Sequence, residues 1–161
     1  MGLSSQKLLG VVKRSLTPNR PYHAQWLLTR RCNYRCRSCS IWREPQNVEE
    51  MSTDKIKRGL DVFRKLGVIE VVFSGGNPLL RDDIREIIDY ASNSFITTVY
   101  DNGSLAAEKV DDLRNVDFVA ISLDTLDKKK LDYIKGVPGA WEKALEAIET
   151  LQREKISVVI S

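Results

Sequence analysis

The sequence predicts an α/β protein built on about five parallel strands. Two observations carry this expectation. Short strand-like runs recur five times along the chain, four of them β-branched, and helical patterns of apolar residues separate them. Strand then helix, repeated four times and closed by a fifth strand, argues for a parallel sheet with right-handed crossovers. At 161 residues, one domain with a core of its own is expected.

Residues 1–23 stand apart as a basic amphipathic extension. Lys7, Lys13, Arg14 and Arg20 accompany Leu8, Leu9, Val11, Val12 and Leu16, ending at Thr17-Pro18. Such a segment either packs as a helix across one end of the sheet or touches a membrane face or partner. Residues 24–161 form the core. Ala24 to Thr29 reads as the first strand and runs straight into a cysteine segment. Ser52 or Thr53 caps a helix with Ile56, Leu60 and Phe63 on one stripe, and Gly67 ends it. Ile69 to Phe73 is the second strand, and Asp82 caps a helix carrying Ile84, Ile87, Ile88 and Ala91. Phe95 to Tyr100 is the third, with Ser104 capping a shorter helix through Leu105, Val110 and Leu113. Phe118 to Leu123 is the fourth. After Asp127 a helical turn or two with Leu131 and Ile134 reaches the break Gly136-Val137-Pro138-Gly139. Trp141, Ala144, Leu145, Ile148 and Leu151 form the last stripe, before a fifth strand at Ile156 to Ile160.

Composition narrows the function classes. Apolar residues at 42% and charged ones at 29% are an ordinary soluble mixture. A net charge of +3 is too small to argue for nucleic acid. No apolar run approaches the roughly 18 residues of a membrane span. Leu8 to Val12 is too short for a secretory core, and Gln6 stands where myristoylation wants Ser or Thr. These features point to the cytoplasm. All three cysteines, Cys32, Cys36 and Cys39, crowd into "RRCNYRCRSCSIW". An odd number of clustered thiols in a reducing compartment points to metal or redox work.

Ligands of parallel α/β sheets gather where strands end and loops emerge. The cysteine loop follows the first strand, Ser74-Gly75-Gly76-Asn77-Pro78 the second and Asp101-Asn102-Gly103 the third, while Ser122 and Asp124 end the fourth. Four such segments therefore meet on one rim. The cysteine spacing C-x3-C-x2-C lets three thiolates wrap one compact cluster. Structural zinc and electron-transfer 4Fe–4S clusters both take four ligands, so three leave one iron open. Zinc with His23 as fourth ligand is the alternative. His23 precedes the first strand, far from the loop, and core packing suits it better.

"CNYRCRSC", "SGGNPLLRDD", "DNGSL" and "ISLDT" resemble, in that order, the radical S-adenosylmethionine superfamily. The likeness is to its molybdenum-cofactor-synthase-like and peptide-modifying (SPASM-type) branches, from Gln25 to Ser161. The resemblance implies an incomplete (β/α) barrel, a 4Fe–4S cluster and S-adenosylmethionine. It further implies reductive cleavage to a 5′-deoxyadenosyl radical that abstracts a substrate hydrogen, with no side chain as acid, base or nucleophile. Cys32, Cys36 and Cys39 are the implied iron ligands. Gly75 and Gly76 let backbone carbonyls approach the methionine ammonium. Asn77 replaces the usual Glu, its amide oxygen accepting from that ammonium without the charge that strengthens such bonds. Ser38 replaces the usual aromatic beside adenine. Asp101 stands where relatives often carry Thr near the adenosine, and Ser122 and Asp124 take ribose hydroxyls or the methionine carboxylate.

Arg30, Arg31, Arg35, Arg37 and Arg43 surround the cysteine loop. They either tune the cluster and welcome an acidic electron donor such as a flavodoxin or ferredoxin, or form a solvated basic face. Lys128 to Lys130 read as a solvated face, and Trp26 and Trp42 as core or loop anchors. The family generally has six strand–helix units, whereas this sequence stops at Ser161 as a fifth strand finishes. It therefore reads as a fragment, half of a split enzyme, or a subunit whose barrel a second chain completes. The rival function is a non-catalytic module carrying structural zinc or an electron-transfer cluster.

Overall fold

A computed structural model describes residues 5–15 and 19–161; Leu16, Thr17 and Pro18 of the extension lie outside the described residues. Helix α1 (Ser5–Ser15) precedes strand β1 (His23–Thr29). Then follow α2 (Thr53–Leu66), β2 (Glu70–Gly75), α3 (Ile84–Ser92), β3 (Ile96–Asp101), β4 (Phe118–Ile121), α4 (Lys128–Lys135), α5 (Ala140–Arg153) and β5 (Val158–Ile160). The strands form one sheet in the order β1-β2-β3-β4-β5, and every pair is parallel. Each strand lies beside its sequence neighbour, as in a barrel wound in one direction.

Side-chain alternation divides the sheet into two faces. One row crosses it as Trp26, Phe73, Val99, Val119 and Val158. Phe73, Val99 and Val119 are fully buried there, packed with Ile56 and Leu60 of α2, Ile84, Ile87 and Ile88 of α3, and Ala144, Ala147 and Leu151 of α5. Burying each such large side chain contributes about 1.5–3 kcal/mol. The opposite face carries Leu27, Tyr100 and Val159, all exposed. The sheet is thus covered on its helical side and open on the other.

Several boundaries differ from the sequence expectation, each for a local reason. Asp83, not Asp82, stands at the start of α3, and its carboxylate binds Arg81 instead of capping the helix. Ser52 precedes α2 without a side-chain cap, and the Thr53 hydroxyl donates to Asp83 at 2.6 Å. Ser104 caps no helix; only a 3₁₀ turn forms, at Val110–Leu113. The carboxyl of Asp101 accepts the N–H groups of Gly103, Leu105 and Ala106, winding this segment around one side chain where a helix was expected. Strand β5 begins at Val158, because Ile156 N–H still bonds Leu151 at the end of α5.

Helix α1 lies at the amino-terminal end of the sheet. Lys7 pairs with Asp117 at 2.5 Å, and Asp117 accepts the Thr97 N–H at the start of β3. Leu8, Leu9 and Val12 face outward. His23 does not pack in the core: it is exposed at the start of β1, 2.9 Å from Glu70. The parallel register explains the contact, since His23 and Glu70 are cross-strand partners.

Candidate functional site

The cysteine loop is held by its neighbours rather than by regular structure. Cys39 N–H donates to the Cys36 carbonyl at 3.2 Å. The Trp42 indole donates to that same carbonyl at 2.9 Å, which makes Trp42 a loop anchor. Gln46 accepts the Cys32 N–H through Oε1 and donates through Nε2 to the carbonyls of Ile41 and Glu44. Arg37 N–H reaches the carbonyl of Ile134 in α4 at 2.8 Å. The three thiols are half-buried, and none is in a disulfide.

Burial pushes the Cys32 thiol up; the Tyr34 N–H pulls it back, the Cys39 charge pushes it further, and the Asn102 amide lowers it again. Burial likewise raises Cys36, opposed by the Lys135 ammonium and reinforced by the charges of Cys32 and Cys39. Cys32 and Cys36 thus both feel the charge of Cys39. Tyr34 is buried within the loop, its hydroxyl without a hydrogen-bond partner; burial, with the charge of Asp101, lifts it to about 12.

The second loop packs directly on the first. Gly76 N–H donates to the Thr29 carbonyl at 2.9 Å and Asn77 N–H to the Arg31 carbonyl at 2.8 Å. A Cβ on Gly75 would lie 2.2 Å from the Thr29 oxygen, and one on Gly76 2.1 Å from the Arg31 oxygen. Glycine is thus required here for backbone to approach backbone, a reason beyond room for a ligand. Asn77 is completely buried. Its Oδ1 accepts the Leu79 N–H, and its Nδ2 donates to Asp101 at 2.6 Å. The oxygen expected to meet a ligand ammonium is engaged within its own turn. Asn77 bridges the second and third loops instead.

Asp101 sets its carboxyl at the centre of this arrangement. Burial pushes its carboxyl up, outweighing the Asn77 amide and the N–H groups of Ala106, Leu105 and Gly103, which favour the anion. Gly75, Gly76, Asp101 and Ser122 do come together. With Gln25, Leu27, Ser74, Tyr100 and Asn102 they line a cleft of about 270 Å³ on the open side of the sheet. Ser38 is exposed on the cysteine loop and does not line that cleft. Asp124 pairs with the buried Lys135 at 2.7 Å, and that ammonium is felt by Cys36.

Sequence reasoning missed several contributors. Arg81 is buried, binding Asp83, Glu50 and the carbonyls of Leu28 and Met51. Glu50 also accepts from Arg31 and the Thr29 hydroxyl, tying the base of the cysteine loop to the second loop. Lys135 is buried at the end of α4, which no local sequence pattern records. The link from Gln46 to Cys32 spans 14 residues, and Asn33 meets Ser104 and Asn102 across 71 and 69, so no local pattern records either contact. A polar residue inside a cysteine motif, as Asn33 is, was the available clue. Of the arginines, Arg30 pairs with Glu44, Arg31 with Glu50, Arg37 lies over Tyr133 and Arg43 over Trp42.

Comparison with known proteins agrees with this geometry. The chain is 33% identical over 144 residues to the AdoMet-dependent heme synthase of Nitratidesulfovibrio vulgaris, covering 84% of this chain and 38% of that protein. It is 32% identical over 124 residues to the probable GTP 3′,8-cyclase of Methanocella arvoryzae, covering 76% and 40%. The chain thus spans well under half the length of these relatives. Among solved structures, Streptococcus suis SuiB bound to S-adenosylmethionine superposes with a TM-score of 0.74 at 20% identity, over 96% of this chain and 37% of that one. That likeness bears on the fold, an incomplete (β/α) barrel. The Radical SAM superfamily, whose members bind a 4Fe–4S cluster and S-adenosylmethionine, matches residues 26–161, and the chain belongs to it.

Proposed function

We propose that this chain is the cluster-binding and cosubstrate-binding part of a radical SAM enzyme. One observation carries the reading: Asn102 lines the cleft and also stands 3.9 Å from the Cys32 sulfur, so thiol loop and cleft form one site. The donor set fits a cubane: three half-buried thiols stand on one loop. Among the described residues, no three His, Cys, Asp or Glu side chains gather tightly enough for a single metal ion.

When bound, the cluster and S-adenosylmethionine supply one-electron cleavage to a 5′-deoxyadenosyl radical, which abstracts a substrate hydrogen. The chain's own residues place and shield these groups. Cys32, Cys36 and Cys39 would hold the irons. Gly75 and Gly76 present bare backbone to the cleft, and the Ser122 hydroxyl offers a hydrogen bond to the cosubstrate. The Lys135–Asp124 pair sets a cation and a carboxylate beside Cys36, suited to the zwitterionic methionine end. Asp101 and Asn77 hold the third loop in place. Ser38 borders the site from the exposed side of the loop.

The exposed Arg35, Arg37 and Arg43 form the docking face for an acidic electron donor such as a flavodoxin or ferredoxin. The open face of the sheet is where a further segment or second chain completes the barrel around substrate. A cytoplasmic setting keeps thiols reduced for cluster assembly.

Anaerobic reconstitution with iron and sulfide tests the reading. The expected product is brown, holds about four irons per chain, and releases 5′-deoxyadenosine on addition of dithionite and S-adenosylmethionine. One tightly held zinc and no nucleoside product would instead identify a non-catalytic metal module.

A further inference from the structure

We propose that Asn102 donates a hydrogen bond to the Cys32 thiolate and thereby sets the reduction potential of the cluster held by this loop. The inference rests on the cluster reading above and assigns a positioning and tuning role to a residue outside the metal ligands.

The orientation of the Asn102 amide follows from its neighbours. A backbone N–H can only donate, and the N–H of Ser104 lies 3.1 Å from Asn102 Oδ1. The oxygen is thereby fixed on that side, and both hydrogens of Nδ2 point the other way. One goes to Asn33 Oδ1 at 3.0 Å, and the other faces Cys32 Sγ at 3.9 Å. Asn33 is oriented in turn, because its own Nδ2 donates to the Ser104 hydroxyl at 2.7 Å. Beneath them, Asp101 gathers three backbone N–H groups and the Asn77 amide, so the backbone carrying Asn102 is held on both sides. A chain of five polar residues therefore ends on one sulfur.

Asn102 is half-buried, so water competes weakly for that sulfur and the bond is stronger than it would be in solvent. A donor aimed at a ligand sulfur stabilises the more negative, reduced state and raises the potential. The proposal involves one electron added to the cluster by an external reductant, and no covalent step.

The test is potentiometry, followed by EPR, on the anaerobically reconstituted chain. Asn102→Ala should bind iron and sulfide as the parent does, yet titrate at a more negative potential. At the potential that half-reduces the parent, its ratio of reduced to oxidised cluster should fall about tenfold, or about 59 mV for one electron. Asn33→Ala keeps Asn102 but removes the oxygen that aims its amide, and should shift the potential the same way by less. If both variants load a cluster and titrate with the parent, the proposal fails. If Asn102→Ala holds no cluster, Asn33→Ala decides alone, and an unchanged potential there overturns the assignment. A parent chain that takes up no cubane brings down the cluster reading itself.

Discussion

Gly76 shows how little space the site leaves. Its missing Cβ would sit 2.1 Å from the Arg31 carbonyl oxygen, where neither backbone can yield without breaking the Asn77–Arg31 hydrogen bond. Gly76→Ala should therefore destabilise the chain by about 3 kcal/mol, measured by denaturant unfolding of the cluster-free protein. Its iron uptake should fall as well, since Arg31 directly precedes Cys32. An unaffected midpoint would show that the first loop can move aside. Asn77 teaches a related lesson at the same scale. Its place in the Gly-Gly-x-Pro segment pointed toward a ligand, and burial with satisfied partners turned it into a brace for Asp101.

Between elements, the strongest connection is ionic. Arg81 follows the 3₁₀ turn Pro78–Leu80 and reaches back to the end of β1, the approach to α2 and the start of α3 at once. Removing a buried charge from such a network leaves its partners uncompensated. Arg81→Met should cost about 3–5 kcal/mol, read from thermal or urea unfolding; a loss under 1 kcal/mol would mean that water replaces the guanidinium. The same network predicts acid lability. Burial raises the Glu50 carboxyl, but hydrogen bonds from Arg31 and Thr29 and the charges of Arg31 and Arg81 outweigh it and leave the group below its ordinary value. A depressed carboxylate stabilises the fold above its unfolded value of 4.5, and that stabilisation disappears as pH falls through the lower folded value. The stability difference between the parent and Glu50→Gln should thus be constant near neutrality and shrink below about pH 4.5. A difference that stays flat into acid would remove Glu50 from the account.

Across the whole molecule, protection is graded from the centre outward. Strands β2, β3 and β4 are paired on both sides and pack Phe73, Val99 and Val119 against the helices, whereas β5 is short and carries the exposed Val159 and Ile160. Amide hydrogen exchange should be slowest in β2 to β4 and much faster in α1 and β5; equal protection everywhere would contradict this grading. Residue types and their spacing were enough for the parallel α/β class, the succession of strands along the chain, the clustering of three thiols and the convergence of four loops on one rim. Those features are written in local periods and in residue types whose chemistry has few uses. It took the folded chain to show that Asn77 turns inward, that Ser104 starts no helix, that Lys135 neighbours Cys36, and that Asn102 meets both Asn33 and the Cys32 sulfur. The reason is distance along the chain: those contacts join residues some 24 to 100 positions apart, so no periodicity records them and only close packing of the strand ends brings them together.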